Sequence, residues 1–387
     1  MGWKETCVME ERMKFISCYL EGGESVSALC RLFGISRKTG YKLLKRYKVY
    51  GMDGLKDRSR APHNHPNETS SELIRMLLHL RQAHLTWGPR KLLAWIRPRH
   101  PRLALPAIST AGDILKRHGM VKSRKRKRRC SPYTEPFIDC KSSNHVWCAD
   151  FKGWFRTGDG KRCDPLTISD AYSRYLLRCR GLAETRFESV KPVFEAVFRE
   201  YGLPIAIRTD NGPPFASLAV GGLSRLSVWF IKLGIRPERI EPGHPEQNGR
   251  HERMHRTLKQ ETAKPPRATF AAQQRAFVRF RQIYNHERPH EALNDKTPAE
   301  IYRPSKSSYP KKLSEMEYPA HMKVRRIRST GEFRWKGELI YLSEALIGEL
   351  IGLEQISDRY WQVKFGHVNL AVVDDWAGKL TRKRPGR

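Results

Sequence analysis

The sequence predicts a multidomain chain: N-terminal all-α helix-turn-helix modules, a central α/β domain and a small C-terminal β-barrel. Three observations predict it. Helical periodicity broken by turn residues runs through residues 24–118, strand-like and helix-like runs follow one another through the middle of the chain, and short β-prone segments separated by glycines fill the region beyond residue 320. At 387 residues the chain is long enough for two or three cores.

The first module, residues 1–56, has a helical run from Val26 to Phe33, then Gly34, then Ile35-Ser36 leading into a second helix at Arg37. Gly34 suits a left-handed turn between helices, and Ser36 can cap the second by accepting a backbone N–H. That second helix carries Arg37, Lys38, Lys42, Lys45 and Arg46 along one side, while Leu43, Leu44 and Tyr47 can turn inward. Its basic side is expected to enter a major groove and meet phosphates.

Residues 57–67, DRSRAPHNHPN, read as a polar linker. A second helical unit follows at 68–121, with helices from Ser71 to His84, from Pro89 to Arg97 and from Ile108 to His118. Pro89 fits the first turn of a helix, where a missing N–H costs nothing. Two tethered modules bind a long site more tightly than either alone. A basic linker at 122–138 contains KSRKRKRR, in which Arg124, Lys125, Arg126, Lys127 and Arg128 repel one another unless they lie along a polyanion.

The whole chain is consistent with that partner. Its 73 Lys and Arg against 40 Asp and Glu give a formal charge of +33, which destabilises a compact free protein and is best relieved by nucleic acid. No long apolar run marks a membrane span. The eight cysteines show no Cys-x-x-Cys spacing, so structural zinc is not expected. Met1 to Tyr19 lacks the apolar core of a signal peptide, and free thiols fit a reducing cytoplasm.

In the central region, His145 to Phe151 alternates like a strand and carries Asp150 on one side. The next strands are expected at Leu166 to Ile168 and Arg174 to Leu182. Asp170 lies between them in a turn, where an aspartate bonds its own backbone. Glu188 to Tyr201 has Val190, Val193, Phe194, Val197 and Phe198 at core spacing, and Ile205 to Arg208 is a buried strand ending in Asp210-Asn211-Gly212. A loop broken by Pro242, Gly243, Pro245 and Gly249 then gives way to a helix bearing Glu252, Arg256 and Lys259 at i, i+4 and i+7, on one face. Further helices are expected from Leu226, from His251 and from Phe270.

Taken together, a strand Asp150, a strand-end Asp210-Asn211-Gly212 and a Glu252-bearing helix after a Pro/Gly loop resemble the catalytic core of the Asp-Asp-Glu recombinases, shared by retroviral integrases and bacterial insertion-sequence transposases. The run Tyr284-Asn285-His286-Glu287-Arg288-Pro289-His290, with Leu293 and Thr297-Pro298-Ala299-Glu300-Ile301-Tyr302, is typical of the insertion-sequence branch. The likeness spans residues 139–302. It implies a ribonuclease-H-like fold for that region, and for the 68–121 unit it implies a role in recognising element ends. Residues 303–320 then read as a linker, 321–377 as the small β-barrel that follows the core in this family, and 378–387 as a basic tail.

The resemblance also implies the chemistry. Asp150, Asp210 and Glu252 become the catalytic residues and the ligands of two Mg²⁺ ions, with Mn²⁺ able to substitute. Such hard cations take carboxylate oxygens, and a pair about 4 Å apart activates the attacking oxygen and stabilises the leaving one. Arg256 and Lys259 are expected to hold the DNA end, Asn211 and Gly212 to shape the turn, and His244 to contact DNA or order its loop. Glu246 is the alternative third acid, with 35 residues between it and Asp210 against 41 for Glu252; the basic residues at +4 and +7 favour Glu252. The implied partner is double-stranded DNA, both element ends and target, bound by a homo-oligomer in a bacterial cytoplasm, associated with the nucleoid. The rival reading is a sequence-specific DNA-binding protein derived from an inactive transposase.

Overall fold

The computed structural model describes residues 7–59, 68–121, 140–217, 220–240 and 249–381. The basic run Arg124 to Arg128, Glu246, His244 and the tail beyond Thr381 lie outside the described residues. Two compact units divide between Glu68 and Thr69.

In the first unit, α1 (Val8–Glu21), α2 (Val26–Leu32) and α3 (Arg37–Tyr50) pack around Phe15, Ile16, Leu29, Cys30, Leu43, Leu44 and Leu55. Ser25 and Ser36 cap α2 and α3 by accepting the N–H groups of Ala28 and Thr39. Gly34 takes the left-handed conformation, φ 61°, between them. Arg37, Lys38, Lys42 and Lys45 are exposed. Arg46 departs from the expected basic face, because it is half-buried and its guanidinium donates to the Lys56 carbonyl. It fastens the chain after α3 rather than facing outward.

The second unit opens with α4 (Ser71–Ala83), α5 (Pro89–Arg99) and α6 (Ile108–Arg117), packed around Leu73, Leu77, Trp87, Leu92, Ile96 and Ile114. Pro89 occupies the first turn of α5.

Next comes a mixed sheet: β1 (Val146–Phe151), β2 (Phe155–Arg156), β3 (Arg162–Asp170), β4 (Leu176–Leu182), then α7 (Phe187–Tyr201), β5 (Ala206–Thr209), α8 (Arg225–Lys232), β6 (Arg236–Arg239), α9 (Gly249–Thr262), α10 (Phe270–His286) and α11 (Pro298–Ile301). β3 pairs antiparallel with β1, with β4 and with the short β2, while β1, β5 and β6 run parallel. One core packs α7 and α8 on the sheet through Trp147, Leu166, Ile168, Phe194, Phe198, Ile207, Leu226 and Phe230. Another packs α9 and α10 through Cys163, Leu176, Cys179, Leu258, Phe277 and Phe280. The sheet thus lies between two helical layers, as an α/β domain requires.

Asp170 is buried at the end of β3, where its carboxylate accepts from the Asn144 N–H and from the N–H and hydroxyl of Ser173, at 2.6–2.7 Å. Burial raises its pKa, and these donors oppose the rise. Its role is structural.

Two expectations change in the C-terminal part. The stretch 303–320 is pinned to the core rather than spanning a gap. Ser305 N donates to Tyr201 O at 2.9 Å, Leu203 N to Ser307 O at 2.7 Å, and the Tyr309 ring stacks on Phe198. Beyond it, β7 (Lys323–Arg326), β8 (Glu332–Trp335), β9 (Glu338–Tyr341), β10 (Leu350–Gln355), β11 (Tyr360–Phe365), β12 (Val368–Asp374) and β13 (Lys379–Thr381) form a β-rich module. Among the described residues its pairing is an open five-stranded sheet, β13-β12-β11-β10-β7, and a separate β8-β9 hairpin, not the closed circuit of a barrel. Its core needs no closure because α8 supplies one wall: Val228 and Ile231 join Phe333, Trp335, Ile351, Trp361 and Phe365, while Leu226, Trp229 and Phe230 of the same helix face the central core.

Candidate active site

The parallel register of β1 and β5 pairs Val146 with Ala206, Trp147 with Ile207 and Cys148 with Arg208, a constant offset of sixty residues. Continued to the strand ends, that register brings Asp150 level with Asp210. Both acids therefore leave neighbouring strands at the same edge of the sheet. Asp210 lies one residue beyond β5 and accepts the Gly212 N–H at 3.3 Å, while the Asn211 amide donates to Ile240 O at 2.8 Å. Asn211 and Gly212 shape this turn. Burial raises the Asp210 pKa, opposed by the Gly212 N–H, and among the described residues no cation pairs with it.

Across β1, Asp150 is the register partner of Thr167 on β3. The Thr167 hydroxyl donates to the Asp150 carbonyl oxygen at 3.1 Å and meets Nε2 of both His251 and His255, each at 2.7 Å. With its one proton on that carbonyl, the hydroxyl accepts from both rings, which places each imidazole proton on Nε2. The Nδ1 lone pair of His255 then faces Asp150 Oδ2 at 3.8 Å, and that of His251 meets Ser169 Oγ at 3.3 Å. Burial pushes the His251 pKa down to about 3. The His255 pKa is lowered by burial first, and further by His251 and Lys152. Neutral rings follow, so the His255–Asp150 approach is not an ion pair.

Asp150, His251 and His255 each offer a ligand atom within 4.8 Å of the others. The carboxylates of Asp150, Asp210 and Glu252 do not form such a cluster among the described residues. Glu252 is exposed on α9, one residue after His251 and three before His255. Arg256 and Lys259 are likewise exposed on that helix. Sequence reasoning followed this exposed charged face and missed the two histidines on the adjoining buried one. Their i, i+4 spacing was the available signal, since it places both rings on one side of a helix.

Models of the integrase core domain match residues 141–245 and 233–298. A helix-turn-helix domain matches residues 11–63, and a homeodomain-like domain residues 39–115. An uncharacterized protein of insertion element IS476 from Xanthomonas euvesicatoria is 28% identical over 239 residues, covering 61% of this chain and 66% of the relative. One from insertion element IS407 of Burkholderia multivorans is 27% identical, covering 70% of this chain and 88% of the relative. The transposase InsD of insertion element IS2 from Escherichia coli is 26% identical, covering 73% and 92%. None of the helices among the described residues is long and apolar enough to cross a membrane. The chain thus carries helix-turn-helix domains ahead of an integrase core domain, and it is similar to insertion-element proteins, a transposase among them.

Proposed function

We propose that this chain binds the terminal inverted repeats of a mobile DNA element, cuts at the element's ends and joins the freed 3′-OH to target DNA. The observation that carries this reading is the level placement of Asp150 and Asp210 on adjacent parallel strands, with α9 seated against β3 beside them. Cutting is attack of a water oxygen on phosphorus with departure of the 3′ oxygen as a hydroxyl. Joining is attack of that hydroxyl on a phosphodiester of the target, which releases a second 3′-OH.

The donor set fits a hard divalent cation. Asp210 is a half-buried carboxylate with a single backbone donor and no cation beside it among the described residues, a placement that burial alone disfavours. Asp150, Asp210 and Glu252 would hold Mg²⁺, or Mn²⁺ in its place, as two ions. When bound, these ions activate the attacking oxygen and offset charge on the leaving one.

The chain's own residues do the rest. Thr167, His251 and His255 lock α9 to β3 and so set where Glu252 stands relative to Asp150. Arg256 and Lys259, exposed further along α9, meet the phosphates of the element end. Arg37, Lys38, Lys42 and Lys45 read or track DNA from the first module, and Arg124 to Arg128 follow the backbone between modules. The working form is a homo-oligomer on DNA, because two ends must be cut and joined together.

Strand transfer with labelled duplexes taken from the DNA flanking the gene tests this. Asp150→Asn, Asp210→Asn and Glu252→Gln should each abolish cutting and joining in Mg²⁺ or Mn²⁺ while DNA binding persists. Full activity of Asp150→Asn overturns the reading. Activity of Glu252→Gln together with a dead Glu246→Gln moves the third ligand to Glu246.

A further inference from the structure

A cavity of about 200 Å³ is lined by residues that follow β1 and by α9, and of these the chemistry above uses only Lys259. Trp154, Phe155, Pro165 and Leu258 line it. Lys152 and Lys259 are also among its lining residues. It belongs to the same strand and helix as the candidate site. Lys152 comes two residues after Asp150, and Leu258 and Lys259 stand about one turn beyond His255 on α9. Gly153, at φ 85°, makes the turn between β1 and β2 that carries the chain to Trp154.

Two features of this cavity want a ligand. Trp154 is 56% exposed, a large ring left in solvent although apolar walls stand next to it. Cations lie over this ring: the Arg162 guanidinium is 5.2 Å from its centroid and that of Arg156 is 6.0 Å away. Neither Lys152 nor Lys259 has an ion-pair partner among the described residues. The volume is below the ~300 Å³ at which pockets take a drug-sized ligand, and leaves room for one planar heterocycle. An exposed aromatic ring and cations lining a cavity of this size make an arrangement that suits a base with its phosphates on the neighbouring cations.

We infer that this cavity is a subsite for one unstacked nucleobase of the DNA strand, stacked on Trp154, with its flanking phosphates on Lys152 and Lys259. The assignment rests on the proposed DNA chemistry, since the base it takes is the one beside the phosphate presented to Asp150 and Asp210. A nucleotide turned out of the duplex here would be held at the site by stacking, which tolerates any base, rather than by base-edge hydrogen bonds.

The test uses the full-length protein and two duplexes of one sequence, one blunt and one with a short 3′ overhang carrying 2-aminopurine next to the duplex junction. The wild type should bind the overhang duplex roughly tenfold or more tightly than the blunt one, with the 2-aminopurine fluorescence quenched. In Trp154→Ala that ratio should fall to near one and the quenching vanish, while Trp154→Phe keeps part of both. An abasic site in place of 2-aminopurine should abolish the preference of the wild type. Because Trp154 is exposed, an unchanged melting temperature identifies the variant as folded. A Trp154→Ala protein that keeps both the preference and the quenching overturns the subsite. Metal-dependent cutting of the same duplexes separates this inference from the reading it rests on: a wild type that cuts but shows no overhang preference overturns the subsite alone. A wild type that shows the preference and the Trp154-dependent quenching but never cuts supports the subsite and overturns the catalytic reading.

Discussion

Thr167 and Asp150 face one another across β3 and β1, and the hydroxyl that donates to the aspartate's carbonyl is the same one that receives both imidazoles of α9. One side chain therefore ties the acid-bearing strand to the glutamate-bearing helix.

Replacing that hydroxyl by a methyl tests the tie. Thr167→Val keeps the shape but leaves two buried Nε2–H groups without an acceptor, at a cost of about 1–3 kcal/mol for each. We expect a lower melting temperature and a fall in kcat for strand transfer larger than any change in KM, since Glu252 is displaced while the DNA-binding side chains of the first module are untouched. Thr167→Ser should restore most of both. Wild-type kcat in Thr167→Val would show that α9 is seated by other contacts.

The second helical module is bonded to the core rather than tethered beside it. Thr86 Oγ1 donates to Glu261 at 2.5 Å, Arg288 reaches the same carboxylate at 3.2 Å, and Arg90 pairs with Asp295 at 3.1 Å. Arg288 is buried, so Glu261→Ala leaves a charge with little water around it and should destabilise the unit by up to about 3 kcal/mol. Hydrogen exchange should quicken at residues 68–121 and remain unchanged in α1 to α3.

Lys91 makes that docking pH-dependent. Its ammonium donates to Pro289 O at 2.8 Å, and its pKa falls from 10.5 to about 8, because of burial first and the nearby Arg288 next. The folded protein gives up this proton near pH 8, whereas the unfolded chain holds it to about 10.5, so unfolding takes up a proton between those values. The contribution of Lys91 to stability therefore rises with pH across that window and is smallest below it. The difference in melting temperature between wild type and Lys91→Met should move in the wild type's favour from pH 8 to pH 10. A difference that stays constant would place the ammonium in water.

Exposed and fastened cations of the first module should separate cleanly. Lys42→Ala should weaken DNA binding for any sequence and lower the slope of log affinity against log salt by about one. Arg46→Ala should instead lower the melting temperature of that module, since its guanidinium holds the Lys56 carbonyl, and leave the salt slope nearly unchanged. Anisotropy titrations at several salt concentrations, beside a thermal melt, decide both.

These contrasts show what was legible in the chain. Asp150 and Asp210 could be found because a β-prone run lies at each of them, and β3, β4, β5 and α7 were legible from β-prone runs and core spacing. β6, Arg-Pro-Glu-Arg, was not legible: it has no β-branched or aromatic residue, and it is a strand by its parallel pairing with β5, in which the register partners Arg208 and Glu238 also meet at 2.8 Å. α1 was passed over because its two fully buried side chains, Phe15 and Ile16, are adjacent and give a weak period. The stretch 303–320 looked like a linker by composition, yet its serine backbone and Tyr309 find partners only the folded core provides. A histidine pair becomes a site only when a threonine from another strand stands opposite, and no pattern within α9 states that.

The sixty-residue offset between β1 and β5 has a bearing on how such a chain can change over time. Hairpins and helices between Phe151 and Ile205 can lengthen or shorten without disturbing either acid, because hydrogen-bonded pairing, not contour length, holds them level. One residue gained inside β5 would do the opposite, sending Asp210 to the far side of the pleat. Variation tolerated in the connections and forbidden in four strand residues is the mark a sheet leaves on the history of its active site.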